Sequence, residues 1–294
     1  MATDVLALTG SAVQAGHIPV VDFDLELDFD ELIDVPRPRV SLGSVLVDRV
    51  DLVGAVERIR DFVASGQPHQ VVTVNLDFLS IARRNAEFRE TLNQADLAVA
   101  DGMPLVWLSR LKGVPLAERV AGVELVAECC EMAAEDGASV FLLGAAPGIA
   151  ENAAAELEER YPGLRAYSYA PSVGELSLEE NEYIIQLVRQ AAPQFLFVAL
   201  GAPRQDLWIW EYLHRLNVPV AMGVGCTLDL LAGTIVRAPG WMRQAGLEWA
   251  FRLVQEPGRL WRRYLVNDLP LLGQLLLTDS DSDYIEPRGL VAPT

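Results

Sequence analysis

The sequence predicts an α/β fold: a doubly wound, mostly parallel (Rossmann-like) sheet of about six strands with helices on both faces, followed by a C-terminal helical, basic appendage. Three observations carry that expectation. Short apolar runs recur along the chain, and several are apolar at every position, as strands buried on both faces are. Segments with helical spacing separate them. Glycines and small polar residues follow directly after the runs, where an open α/β sheet binds its ligands.

The elements follow in order. Residues 1–36 carry Asp4, Asp22, Asp24, Glu26, Asp28, Asp30, Glu31 and Asp34 and no Lys or Arg. Within them VVDFDLELDFDEL alternates apolar and acidic residues at period two, a pattern shared by an edge strand and an acidic arm. The expectation is a poorly ordered arm. Residues 37–240 read as the α/β domain. Asp51 is placed to cap a helix whose apolar positions are Leu52, Val56, Ile59 and Val63. Strands are expected at 69–75 (HQVVTVN), 97–100 (LAVA), 139–144 (SVFLLG), 164–169 (LRAYSY), 194–201 (QFLFVALG) and 218–225 (VPVAMGVG). Helical spacing recurs from Ile149 to Leu157 and from Ile184 to Val188. Residues 241–270 form the basic, aromatic appendage. Residues 271–294, ending in TDSDSDYIEPRGLVAPT, read as a partly disordered tail on composition.

Bulk properties exclude several classes. The 294-residue chain is 51% hydrophobic, enough for a full core. Its formal net charge of -18 argues against nucleic acid as a partner, which needs a basic footprint. Cys129, Cys130 and Cys226 have no metal-type spacing and read as reduced thiols of a cytoplasmic protein. The N-terminus lacks a basic n-region, so no secretory signal is expected. No apolar run is long enough to span a bilayer, LPLLGQLLL at 269–277 included.

Polar groups cluster at the predicted strand ends. Thr73 and Asn75 end the first, Asp101 and Gly102 the second, and Gly144 the third. Gly201 and Gln205 follow the fifth; Gly223, Gly225 and Asp229 follow the sixth. Each alone is an ordinary turn or cap. Their recurrence at five strand ends points to a site, because a parallel sheet brings those ends along one edge. Glycines there let backbone N–H groups approach a ligand, and helix N-termini favour phosphate. The dinucleotide fingerprint fails: the chain has GAAPGIA, and the next strand has no acidic residue for a ribose. No P-loop and no G-x-S-x-G elbow occur. His17, His69 and His214 are scattered, with no nucleophile beside them. What remains is a carboxylate suited to general-base work beside groups that hold a phosphorylated donor. Further on, RAPGWMRQAGLEWAFRLVQEPGRLWRRYL carries Arg237, Arg243, Arg252, Arg259, Arg262 and Arg263, interleaved with Trp241, Trp249, Phe251, Trp261 and Tyr264. Arginine forks suit a diphosphate, tryptophan with arginine suits a membrane interface, and a packed helix with solvated arginines has the same composition.

Taken together, TVNLDFL, ADGMPLVWLSRLKG, ERVAGVELV, FLLGAAPG, ALGAPRQDLWI and the run from GVGCTLDLLAG to LWRRYL resemble the WecG/TagA/CpsF family of bacterial glycosyltransferases over roughly residues 40–265. The resemblance implies inverting transfer of an N-acetylmannosamine-type sugar, without metal or other cofactor. The donor would be a UDP-sugar and the acceptor GlcNAc on undecaprenyl diphosphate, at the cytoplasmic face of the membrane. It implies Asp101 of A-D-G as the base, with Thr73 as its catalytic companion. It places Asn75, Arg119 of E-R, Gln205 of G-x-P-x-Q and Asp229 in substrate binding, beside Gly102, Gly144, Gly201 and Gly225, which the strand-end reading assigns to the same role. It assigns Arg237, Arg243, Arg252, Arg259, Arg262 and Arg263 to an appendage that closes over the site and meets the acceptor diphosphate and membrane. The chain departs from the family's T-P-N-P-E in reading Thr73-Val74-Asn75-Leu76-Asp77, and Leu228 stands where Phe is frequent. A non-catalytic nucleotide-sugar-binding protein on the same fold is the alternative, and a homo-oligomer stays open.

Overall fold

The computed structural model describes residues 38–171, 174, 176–277 and 284–285. The acidic segment 1–36 and most of the final tail lie outside the described residues. The described chain enters through a hairpin that the apolar runs do not predict, β1 (Arg39–Leu42) and β2 (Val45–Asp48), paired antiparallel. Its two-residue turn, Gly43-Ser44, has φ of 59° and 70° at its two residues, the left-handed pair that matches strand twist. Val40, Leu42, Val45 and Val47 are fully buried. Arg39 and Asp48 are buried too, and both are satisfied. Arg39 donates to Asp48 (3.2 Å) and to the carbonyls of Asn93 and Ala95, while Asp48 Oδ2 accepts the Ala98 N–H at 2.8 Å. A short strand, β9 (Tyr284–Ile285), pairs with β1 and completes a small three-stranded sheet.

All six predicted strands form. In chain order, α1 (Leu52–Ser65), β3 (His69–Val74), α2 (Leu76–Ala82), α3 (Ala86–Gln94), β4 (Leu97–Ala100), α4 (Met103–Leu111) and α5 (Gly122–Glu135) come first. Then follow β5 (Ser139–Gly144), α6 (Ile149–Arg160), β6 (Arg165–Tyr169), α7 (Leu178–Ala191), β7 (Phe195–Ala199), α8 (Arg204–Leu216), β8 (Val220–Gly223) and α9 (Thr227–Leu231). Asp51 caps α1 as expected, accepting the Gly54 N–H at 2.8 Å. The large sheet has the order β4-β3-β8-β7-β5-β6 and is parallel at every junction.

Alternation within each strand explains the continuous apolar runs. On one face, Val71, Leu97, Val99, Val140, Leu142, Phe195, Phe197, Val220 and Met222 pack with α1, α5, α6 and α9. On the other, Val72, Val74, Ala98 and Ala100 pack with the hairpin, α2, α3 and α4, and Phe141, Leu143, Leu196 and Val198 pack with α7 and α8. Helices therefore cover both faces, and a strand buried twice needs no polar side.

The C-terminal region is helical: α10 (Gly240–Gln244), α11 (Glu248–Gln255), α12 (Pro257–Trp261), a π-helical stretch (Arg262–Asp268) and α13 (Leu269–Leu277). The π turn ends just before Pro270, which has no N–H for an α-helical bond to residue 266. Leu271 and Leu275 of α13 are buried with the hairpin and α4, so packed chain runs past residue 270 to Leu275 and the helix to Leu277.

Candidate functional site

Strand order alone brings the candidate residues together. β4, β3, β8 and β7 are neighbours, so the residues after their C-terminal ends share one edge. Thr73 Oγ1 donates to Gly223 O at 3.3 Å and ties β3 to β8 there. Asn75 caps α2, its Oδ1 accepting the Phe78 N–H at 3.2 Å. Asp101 continues the ladder past β4, its N–H donating to Val74 O at 2.7 Å. Gly102, with φ of 155°, turns the chain into α4 through a conformation that favours glycine. The start of α5 approaches from the opposite side. A Cβ on Gly122 would lie 3.3 Å from Thr73 Cγ2 and 3.7 Å from Asp101 Oδ2, so its lack of a side chain leaves the two groups room.

Asp101 is electrostatically distinct. Burial raises its carboxyl to about 6; Arg119, the Gly122 N–H and Arg252 pull it down, and Glu248 pushes it up. At neutral pH it is mostly ionised, yet it is a stronger base than a solvated aspartate.

Gln205, at the start of α8, is buried, and its Oε1 accepts the Gly225 N–H at 3.2 Å. A Cβ on Gly223 would fall 2.5 Å from both Gln205 Nε2 and Asp206 Oδ1. Gln205 thus holds the Gly223–Gly225 turn as well as lining the cleft. Asp206 lies fully buried next to it, and burial raises its carboxyl to about 7 against the lowering effect of Gln205 and of its own backbone N–H. Asp229, half-buried after β8, is also raised by burial.

A cleft of about 680 Å³ opens at this edge. The sheet side contributes Thr73, Asn75, Asp101, Gly102, Arg119, Gly201, Gln205, Gly225 and Asp229, and the C-terminal helices contribute Arg243, Arg252, Arg259 and Arg263. Three expected site residues do not line it. Gly144, with φ of 105°, would place a Cβ 2.6 Å from Ala199 O, so it serves the close packing of β5 on β7. Arg237 donates to Glu124 at 2.6 Å, and Arg262 sits over the Trp261 ring at 5.6 Å.

The arginines are held by carboxylates that sequence reasoning did not single out. Glu124 of α5 meets Arg119 at 3.2 Å, Arg237 at 2.6 Å and Arg243 at 3.5 Å, and Arg119 also reaches Glu248 at 3.2 Å. Glu256 meets Arg259 at 2.6 Å and Arg252 at 4.0 Å. Arg263 pairs with Asp77 at 3.2 Å and lies 4.0 Å from Asp268, whose carboxyl is raised to about 7 by burial and by Asp77. Glu124 and Gly122 sit inside ERVAGVELV, a stretch already notable in the sequence, whereas nothing local marks Asp206 or Asp268. Among the described residues no group of three His, Cys, Asp or Glu is arranged to hold a metal ion, and no helix is long and apolar enough to cross a membrane.

The arrangement offers a carboxylate base beside a hydroxyl, backbone turns open to phosphate, and a facing wall of guanidinium groups. Comparison with known proteins gives the family. Residues 40–282 match the glycosyl transferase WecG/TagA/CpsF family. Among similar proteins are the N-acetylglucosaminyldiphosphoundecaprenol N-acetyl-beta-D-mannosaminyltransferases of Staphylococcus aureus strains MW2, NCTC 8325 / PS 47 and COL. Each is 33% identical over 226 residues, covering 76% of this chain and 87% of the relative. The parallel sheet, the edge that gathers Asp101 and its neighbours, and these matches make the chain a member of the WecG/TagA/CpsF family of glycosyltransferases.

Proposed function

We propose that this glycosyltransferase moves an N-acetylmannosamine-type sugar from a UDP donor to GlcNAc carried on undecaprenyl diphosphate, with inversion and without a metal ion, in cell-surface polysaccharide or teichoic acid synthesis. The names of the Staphylococcus aureus relatives supply the sugar and the acceptor. The single observation that carries the mechanism is Asp101, a carboxylate raised to about 6 at the strand-end edge of the cleft. A base works best when its pKa lies near the working pH.

The reaction is one displacement. The acceptor hydroxyl oxygen attacks the anomeric carbon while Asp101 takes its proton. The bond from that carbon to the donor phosphate oxygen breaks, and UDP leaves with the electron pair. Thr73 spends its proton on Gly223 O and keeps oxygen lone pairs for a substrate hydroxyl. The Gly201 and Gly225 turns, each with positive φ, bring backbone close to the donor phosphates, and Asn75 and Asp229 flank them. Arg119, Arg243, Arg252, Arg259 and Arg263 supply positive charge where the leaving diphosphate and the acceptor diphosphate lie. Arg237 acts through Glu124, and Arg262 belongs to the outer surface with Trp261.

The same helices support attachment at the inner face of the membrane. Trp241, Trp261 and Val266 are exposed in the arginine-rich stretch, and Leu276 and Leu277 are exposed at the end of α13. The alternative, a sensor that binds nucleotide sugar without transfer, leaves the tuned carboxylate without a task. The test is a panel of UDP-sugars with a short-chain GlcNAc-diphosphate lipid, read by product mass. A product heavier by one N-acetylhexosamine from the mannosamine donor is expected. UDP-dependent thermal stabilisation with no transfer from any donor would instead support the sensor.

A further inference from the structure

The residues that line the cleft are of two kinds. Around Asp101 the cleft is polar. Between α4 and the C-terminal helices it is lined by Met103, Trp107, Trp249, Leu265, Leu269 and Leu272. Met103 and Trp107 lie one turn apart on α4, and Leu265, Leu269 and Leu272 recur at intervals of four and three along the last helical stretch. Such spacing normally marks two faces packed on each other. Here Leu265 and Leu269 are 48% and 57% exposed, and Trp107 and Trp249 are 37% and 39% exposed, so much of this apolar cleft lining is left uncovered. An uncovered apolar lining gains by admitting hydrocarbon.

Charge shares the cleft with this lining. Arg252, Arg259 and Arg263 line the same cleft from the same C-terminal helices. Asp77, Asp101, Asp229, Glu248 and Asp268 line the cleft too, so its charges balance overall, but Arg252 lies 4.0 Å from its partner carboxylate on Glu256 and is the least committed of these guanidinium groups. Guanidinium groups and apolar side chains lining one cleft complement a ligand with an anionic head joined directly to a hydrocarbon chain.

We propose that the apolar lining is a subsite for the isoprenyl units adjacent to the acceptor diphosphate; this deepens, and rests on, the acceptor assignment above. The protein then reads the lipid itself, and the first part of the chain leaves the bilayer to enter the cleft. Apolar lining and catalytic edge belong to one cleft, so seating the chain sets how far the GlcNAc hydroxyl stands from Asp101.

The experiment uses the full chain without vesicles or detergent, with probes below their aggregation concentrations. Calorimetry compares farnesyl diphosphate, inorganic diphosphate and farnesol. Farnesyl diphosphate is expected to bind at least about ten-fold more tightly than diphosphate, with farnesol weaker than either. A Leu265→Gln/Leu269→Gln double variant, in which both changed positions are half-exposed, is expected to bring the ratio close to one. A melting shift on UDP addition reports that this variant is folded. Equal affinity for the two diphosphates in the parent, or an undiminished ratio in the variant, overturns the subsite. A second arm measures transfer to GlcNAc-diphosphate acceptors carrying a methyl or a farnesyl chain. Transfer with the same KM for both chains keeps the transferase assignment and overturns the subsite. A farnesyl preference in binding, with no transfer to either acceptor, keeps the subsite and overturns the acceptor assignment.

Discussion

The two walls of the cleft are made by different physics. The sheet wall is set by backbone: Asp101, Thr73 and Asn75 stand where the β3–β4 and β3–β8 ladders end, with apolar layers packed on both sides. The C-terminal wall is set by side chains. It is held by ion pairs such as Arg263 with Asp77 and Arg119 with Glu248, and by the close seating of Gly246, where a Cβ would lie 2.5 Å from Trp107. Ladder bonds within a core open only with the fold, whereas partly exposed ion pairs exchange with water and salt at small cost. A preformed wall therefore suits the proposed donor site and Asp101 as the proposed base. An adjustable one suits the proposed lipid-linked acceptor.

The largest expected effect lies on the sheet wall. Asp101→Asn keeps the shape and removes the base, so transfer should fall by about 10²–10⁴ while UDP still raises the melting temperature. Near-parent turnover would remove the contrast between the walls. The same group gives kcat/KM an acid limb. Protonation disables the base, so activity should be lost as pH falls through about 6 and be full above it. A limb that persists unchanged in Asp101→Asn would belong to another residue.

Next comes the other wall. Arg252→Ala removes a guanidinium whose nearest carboxylate, on Glu256, is 4.0 Å away, which leaves it the most available of the paired arginines. A charge-assisted contact to phosphate is worth about 1.5–3 kcal/mol, or roughly 10–150-fold in kcat/KM for the acceptor. Donor affinity should stay within about two-fold. Equal losses for donor and acceptor would merge the two walls into one site.

A smaller effect tests the rigidity beneath the sheet wall. Asp206 is raised to about 7 by burial. Its carboxyl favours the folded state while protonated, and that contribution is lost as pH rises through about 7. Asp206→Asn removes the buried charge. Its melting temperature relative to the parent should therefore be higher at pH 8 than at pH 5, by about 2–4 °C if the difference is near 1 kcal/mol. A gap independent of pH would show that the charge is not what matters. The smallest expected effect is that of chelation. No D-x-D pair stands at a strand end among the described residues, so EDTA should leave turnover within experimental scatter. Loss restored by Mn²⁺ would reassign the phosphate contacts from arginine to metal.

Much of the sheet wall is legible in the residues themselves. Two-sided burial leaves continuous apolar runs, and a carboxylate placed directly after LAVA has only a strand-end cleft to occupy. The β1–β2 hairpin is harder to read. Its four-residue strands carry Arg39 and Asp48, and their burial depends on partners at Asn93, Ala95 and Ala98 far along the chain. The Gly43-Ser44 turn is the one local signal.

Sequence by itself determined the parallel sheet, the edge holding Asp101 and Thr73, and the concentration of arginine with tryptophan near the C-terminus. These follow from local periodicity and from the rule that parallel strands end together. Only the tertiary structure decided which of those residues face the cleft. Gly144 and Gly225 look alike as letters, since both a tight packing contact and a ligand turn need a missing Cβ; the neighbouring Ala199 carbonyl makes the first a packing residue. Arg237 and Arg252 are likewise both cationic. The first is paired with Glu124, 113 residues away, and the second acts electrostatically on Asp101. Charge type is a property of the residue, but charge availability is set by which carboxylate the fold brings within about 4 Å.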